Sequence, residues 1–153
     1  MRFKECSNYI TDWLLKYSDE SKTDGFVVGI SGGIDSAVAS TLAAKTNKRV
    51  LCLEMPIYQQ IDQVNRAQEH INWLKKKFNN VSSILLNLDE TYDYFKKTLI
   101  SNVESETHEI ALANSRARLR MTTLYYYAQL NNYLVLGTGN KVEDFGVGFY
   151  TKY

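Results

Sequence analysis

Short apolar runs alternate with stretches of helical periodicity along this chain, and that alternation leaves few folds open. Residues 25–30 (Gly-Phe-Val-Val-Gly-Ile) lie between Asp24 and a glycine-rich turn and suit a strand buried on both faces. Residues 50–53, 84–88 and 133–136 read the same way. Between the second and third runs, Ile61, Val64, Ala67, Ile71, Leu74 and Phe78 recur every three or four residues and mark one helical face. A helix over 107–130 carries Ile110, Ala113, Ala117, Met121, Leu124 and Ala128 as its inner stripe. Helices over 3–17, 37–45 and 92–100 complete the set. The pattern implies βαβ units: a Rossmann-like, doubly wound parallel sheet with helices on both faces, in one domain over residues 1–153. Ligands of such sheets bind beyond the carboxyl ends of the strands, so the segments after Ile30, Leu53, Leu88 and Leu136 are where function is sought.

Composition removes several classes of function. With 44% hydrophobic and 23% charged residues, the chain is built like a soluble globular domain. A formal net charge of +1 gives no electrostatic reason for a nucleic-acid or membrane partner. The basic run Lys75–Lys77 falls late in a helix, where it complements the helix dipole. No apolar window of about 18 residues predicts a membrane span, and the N-terminus has no secretory h-region. Cys6 and Cys52 form no CxxC pair, and His70 and His108 lack ligand spacing. Two buried free thiols in a reducing, cytoplasmic setting are expected, without structural zinc.

The first strand runs into Ser31-Gly32-Gly33-Ile34-Asp35-Ser36 and then a helix. Glycines let a ligand approach the main chain, and amides at a helix start attract anions. Ser31 and Ser36 add hydroxyl donors. No lysine follows the glycines, so the loop is not a P-loop of the usual NTPase kind, nor does it match the dinucleotide fingerprint G-x-G-x-x-G. A plainer reading has Asp35 capping the helix and the glycines making a turn.

The loop resembles the SGGxDS pyrophosphate loop of the ATP pyrophosphatases. That resemblance implies that Ser31, Gly32, Gly33 and Ser36 bind the phosphates of ATP and that Asp35 binds Mg²⁺. Three more stretches resemble the ammonia-dependent NAD synthetase family in particular. Glu54-Met55-Pro56 is similar to its turn beside adenine, with Met55 at the base. Asn114-Ser-Arg-Ala-Arg-Leu-Arg-Met121 is similar to its N-x-x-A-R-x-R-M helix. Arg116 and Arg120, four apart, share a face, and Arg118 points nearly the opposite way. The resemblance gives Arg118 to the dinucleotide and Arg120 to ATP, and guanidinium forks suit both polyanions. Gly137-Thr-Gly-Asn-Lys-Val-Glu143 and the segment Gly148–Tyr153 resemble G-T-x-N-x-x-E and G-x-x-T-K. They imply Thr138 on ATP, Asn140 and Lys152 on the dinucleotide, and Glu143 as the second Mg²⁺ carboxylate. The gap after Glu143 is one residue longer than the family pattern, so Asp144 competes for that role.

Family chains continue past T-K-Y, so the resemblance implies that a C-terminal part lies outside these 153 residues. It also implies the adenine nucleotide alpha hydrolase-like fold, a cytoplasmic homodimer, and a reaction. In that reaction the carboxylate of deamido-NAD attacks ATP to give an acyl-adenylate, and ammonia then yields NAD and AMP. Asp35, Glu143 and Arg118 are the residues it places at the chemistry. The pyrophosphate loop alone leaves open a GMP synthetase-like or tRNA-thiolation enzyme. A nucleotide-binding or dimerisation fragment without turnover is the alternative of a different class.

Overall fold

In the computed structural model, residues 2–99 and 106–147 are described. The elements run α1 (Phe3–Glu20), β1 (Gly25–Gly29), α2 (Ile34–Lys45), β2 (Arg49–Glu54), α3 (Ile61–Lys77), β3 (Val81–Leu85), α4 (Asp89–Thr98), α5 (Glu106–Asn131) and β4 (Tyr133–Val135). A π-helical turn over Val142–Val147 follows. The four strands form one parallel sheet in the order β3-β2-β1-β4. Gly25 faces Arg49 on one side and Tyr133 on the other. The order reverses between β1 and β4, so the crevice at their carboxyl ends is the switch point where such sheets take ligands.

Alternation along the strands builds two cores. Phe26, Val28, Ile30, Val50 and Cys52 pack against Ala43 and Ala44 of α2, against Ala67, Ile71 and Leu74 of α3, and with Leu14 of α1. Val27, Leu51, Leu53 and Met55 face the other way, against Leu124, Tyr127 and Ala128 of α5. Both faces of β1 and β2 are thus covered, as their unbroken apolar runs imply. A third cluster, Ile57, Tyr92 and Leu112, joins the loop after β2 to α4 and the first half of α5, and the Tyr92 hydroxyl donates to the Leu112 carbonyl at 3.0 Å.

Five expectations are corrected. The third strand is Val81–Leu85, three residues before the expected start, because it pairs with Val50–Glu54 of β2, which sets the register. It is an edge strand that accommodates Ser82 and Ser83, while Leu86 and Leu88 cap the second core from the following loop. Helix α2 starts at Ile34 because Gly33, extended at φ −92° and ψ 163°, already serves as its N-cap. The inner stripe of α5 holds only at Leu124 and Ala128. Its N-terminal half turns Leu112 and Leu119 inward and leaves Ile110 and Met121 exposed, because that half packs on α4 rather than on the sheet. Ile61 is likewise exposed at the start of α3, although Ala67, Ile71 and Leu74 are buried as the periodicity implies. Of the two free thiols, Cys52 is buried but Cys6 lies exposed on the outer side of α1. Among the described residues no helix is long and apolar enough to cross a membrane.

Candidate active site

The segment after β1 closes on itself through its two serines. The Ser31 and Ser36 hydroxyls lie 3.2 Å apart, the Ser36 hydroxyl donates to the Gly33 carbonyl at 2.9 Å, and the Gly33 amide donates to the Ser31 hydroxyl at 3.2 Å. Gly32 has a φ of +80°, and a Cβ there would collide with the Gln63 carbonyl, so both backbone angle and space require glycine. No side chain caps α2 at Gly33, which leaves the first-turn amides to an incoming anion. Asp35 is therefore not the helix cap. It sits in the first turn, and its Oδ1 accepts from Asn140 Nδ2 at 3.3 Å.

Asn140 belongs to the segment after β4, across the switch point. Its Oδ1 accepts from the amides of Val142 and Glu143, both at 3.0 Å, and so fixes the start of the π-helical turn. Glu143 is exposed there, and Asn140 links its amide to the Asp35 carboxylate. The Asp144 carboxylate packs against Gly139, where an added Cβ would lie 2.7 Å from Oδ2. No cluster of three His, Cys, Asp or Glu side chains occurs among the described residues. A hard cation held by one or two carboxylates and phosphate oxygens needs no such cluster.

A cavity of about 240 Å³ opens beside the loop, walled by Ser31, Glu54, Met55, Arg120, Leu124 and Thr138 among others. Arg120 reaches in from α5: its Nε donates to the Met55 carbonyl at 2.9 Å and its Nη2 to Gln59 Oε1 at 3.1 Å. Burial, and then the neighbouring Arg116, lower its pKa from the ordinary guanidinium range. Arg116 stands over the Tyr92 ring at 5.9 Å, on the same side of the helix. Arg118 points away from the cavity, with Nη1 on the Asn114 carbonyl at 3.3 Å. Lys152 lies outside the described residues.

The structure thus brings Ser31, Gly32, Gly33, Asp35, Ser36, Met55, Arg120, Thr138 and Asn140 to one end of the sheet, with the Glu143 amide on Asn140, while Arg118 bonds back to its own helix. Sequence reasoning missed Glu54, which is 5% exposed with Oε1 lacking any hydrogen-bond partner among the described residues. It also missed the first half of α3, whose Gln63, Arg66 and His70 border the loop. The signal for the helix residues was their i, i+3, i+7 spacing beside the apolar stripe, which points a polar edge at the preceding βα turn. Burial pushes the Glu54 carboxyl up, against a smaller opposite effect of Gln68.

A phosphate-sized nest after β1, an adjoining base-sized cavity and a carboxylate at the switch point define a nucleotide-binding α/β domain. Residues 6–153 match the NAD synthase family, and the chain belongs to it. The NH(3)-dependent NAD(+) synthetases of Carboxydothermus hydrogenoformans and Mesoplasma florum are each 38% identical over 154 residues, covering all of this chain. The chain spans about 61% and 60% of those two relatives. The structure of NH3-dependent NAD synthetase from Campylobacter jejuni superposes with a TM-score of 0.85 at 31% identity, over 99% of this chain and 62% of that one. That of NMN synthetase from Francisella tularensis gives 0.84 at 34%, over 97% and 59%. A glutamine-dependent NAD+ synthetase from Acinetobacter baumannii, in complex with ADP, gives 0.85 at 28%, over 100% of this chain and 28% of that one.

Proposed function

We propose that this chain carries the ATP-binding part of an ammonia-dependent NAD synthetase, and that the loop Ser31–Ser36 with its adjoining cavity is the ATP site. The observation that carries this reading is the uncapped, glycine-made nest at the switch point beside a cavity walled by Met55, Arg120 and Thr138. The complex of the Acinetobacter baumannii relative with ADP supports a nucleotide in this fold.

In this reading the phosphates of ATP lie on the amides of residues 32–36, and the base lies between Met55 and Arg120. Asp35 and Glu143 would hold Mg²⁺, which supplies charge neutralisation along the triphosphate. Asp35 fits, because among the described residues its carboxylate accepts only one amide, and it sits at the start of α2. The nicotinate carboxylate of deamido-NAD attacks the α-phosphorus, and the bond to pyrophosphate breaks. Ammonia then attacks the acyl-adenylate carbonyl, AMP leaves, and a proton is lost to solvent. No nucleophilic side chain is required, since orientation and charge stabilisation supply the acceleration. Arg118, Asn140 and Lys152 are the residues proposed for the dinucleotide. Arg118 faces away from Arg120, which suits one helix that meets two different anions.

The surplus apolar side of α5 supports a homodimer. Met121, Tyr125, Tyr126 and Leu130 are exposed, with Tyr125 and Tyr126 at 60% and 62%. A second reading, amidation of nicotinate mononucleotide, has the support of the Francisella tularensis structure described as an NMN synthetase. Release of AMP and pyrophosphate in the presence of ammonia, measured with deamido-NAD and with nicotinate mononucleotide in turn, tests both. Greater turnover with the dinucleotide is expected, and Asp35→Ala should abolish it. Near-normal release by Asp35→Ala would remove the metal assignment.

A further inference from the structure

Helix α3 meets the glycine loop at two points and the helix that follows the loop at a third. The Gln63 carbonyl packs so close to Gly32 that no side chain fits there. Arg66 Nε donates to the Gly32 carbonyl at 3.3 Å. Four residues on, His70 Nε2 lies 2.9 Å from the Ser40 hydroxyl, which lies 2.7 Å from the Ser36 carbonyl. Burial lowers the pKa of His70, which favours the neutral ring, and its tautomer sets which of the two atoms donates. Arg66 and His70 share one helix face and, with Gly32, Gly33 and Ser36, line a cavity of about 220 Å³ beside the loop.

Holding the Gly32 carbonyl takes one donor, and Arg66 brings five N–H groups and a permanent charge. Its two terminal nitrogens have no hydrogen-bond or ion-pair partner among the described residues, and its side chain is exposed. A glutamine would hold the carbonyl as well. A guanidinium fork fixed by one bond at the rim of an anion nest matches a phosphate group.

We propose that Arg66 is a phosphate-binding residue of this site, its free fork gripping the β- and γ-phosphates of ATP and the pyrophosphate they become. The proposal rests on the ATP reading of the loop. Charge accumulates on the departing pyrophosphate as the α-phosphorus bond breaks, and a cation fixed at the far side of the nest stabilises it.

The test is calorimetric titration of the protein with inorganic pyrophosphate, ATP and AMP, each with Mg²⁺, in wild type, Arg66→Ala and Arg66→Lys. Arg66→Ala should lose roughly tenfold to a hundredfold in pyrophosphate and ATP affinity, the range for one charge-assisted contact, while AMP stays within about twofold. Arg66→Lys should recover part of the loss. Pyrophosphate binding within twofold of wild type in Arg66→Ala overturns the proposal, as does an equal loss for AMP, which would mean that the arginine only shapes the loop. Should Arg66→Ala fail to fold, Arg66→Lys decides alone: a loss selective for pyrophosphate supports the proposal, and no loss or an equal loss for AMP overturns it. Wild type that binds neither ATP nor pyrophosphate overturns this inference together with the ATP reading. Intact ATP binding with an indifferent Arg66 overturns this inference only.

Discussion

Glu54 offers a perturbation with a definite sign. It ends β2, is 5% exposed, and leaves Oε1 without a hydrogen bond among the described residues. Burial raises its pKa above the ordinary carboxylate value, so the folded state holds the proton more tightly than the unfolded chain does. Above the unfolded pKa near 4.5, the unfolded state gains from ionising and the folded state does not follow until the higher folded pKa is passed. Wild-type stability therefore falls as pH climbs through that window and levels off beyond it. Glu54→Gln removes the ionisation while keeping size and one polar acceptor. An unpaired buried polar group costs about 1–3 kcal/mol, more when charged. Because the glutamine keeps part of that cost, the expected gain at pH 7.5 is about 1 kcal/mol, or about 2–4 °C in Tm for a chain of this length. At pH 4 the two proteins should melt together. Thermal unfolding followed by circular dichroism from pH 4 to 8 makes the measurement. A pH-independent difference, or a lower Tm for Glu54→Gln at pH 7.5, would refute the reasoning.

Gly32→Ala combines a φ of +80° with a collision against the Gln63 carbonyl, so it should destabilise the protein by more than about 1 kcal/mol and weaken ATP binding at least tenfold, seen by melting and calorimetry together. Arg120→Ala removes the donors to Met55 and Gln59 and should weaken ATP by roughly tenfold to a hundredfold. Arg118→Ala should act mainly on the dinucleotide, and equal losses for both substrates in both variants would withdraw the division of roles between the two arginines. A thiol reagent at pH 8 should modify Cys6 quickly and leave Cys52 untouched until unfolding, because burial pushes the Cys52 thiol up to about 12; two fast thiols per chain would contradict the packing of β2.

The central strands were legible because β1 and β2 are buried on both faces and need unbroken apolar runs. The edge strand was not, since Ser82 and Ser83 are tolerated where one side meets solvent and register is imposed by β2. The inward side of α5 was hidden for a related reason. Its apolar residues run all round the helix, and only contact with α4 selects Leu112 and Leu119 over Ile110 and Met121. The glycine loop announced itself, as a strand followed by S-G-G-x-D-S has few uses. Its neighbours on α3 did not, because Gln63, Arg66 and His70 are ordinary surface residues until the fold lays that helix along the loop.

The most direct test of the ATP assignment is a crystal structure of the protein with ATP and Mg²⁺. The triphosphate is expected along the amides of residues 32–36, with the base in the cavity between Met55 and Arg120 and Asp35 turned toward the cation. Nucleotide bound elsewhere on the molecule, with the loop and the cavity empty, would contradict the assignment.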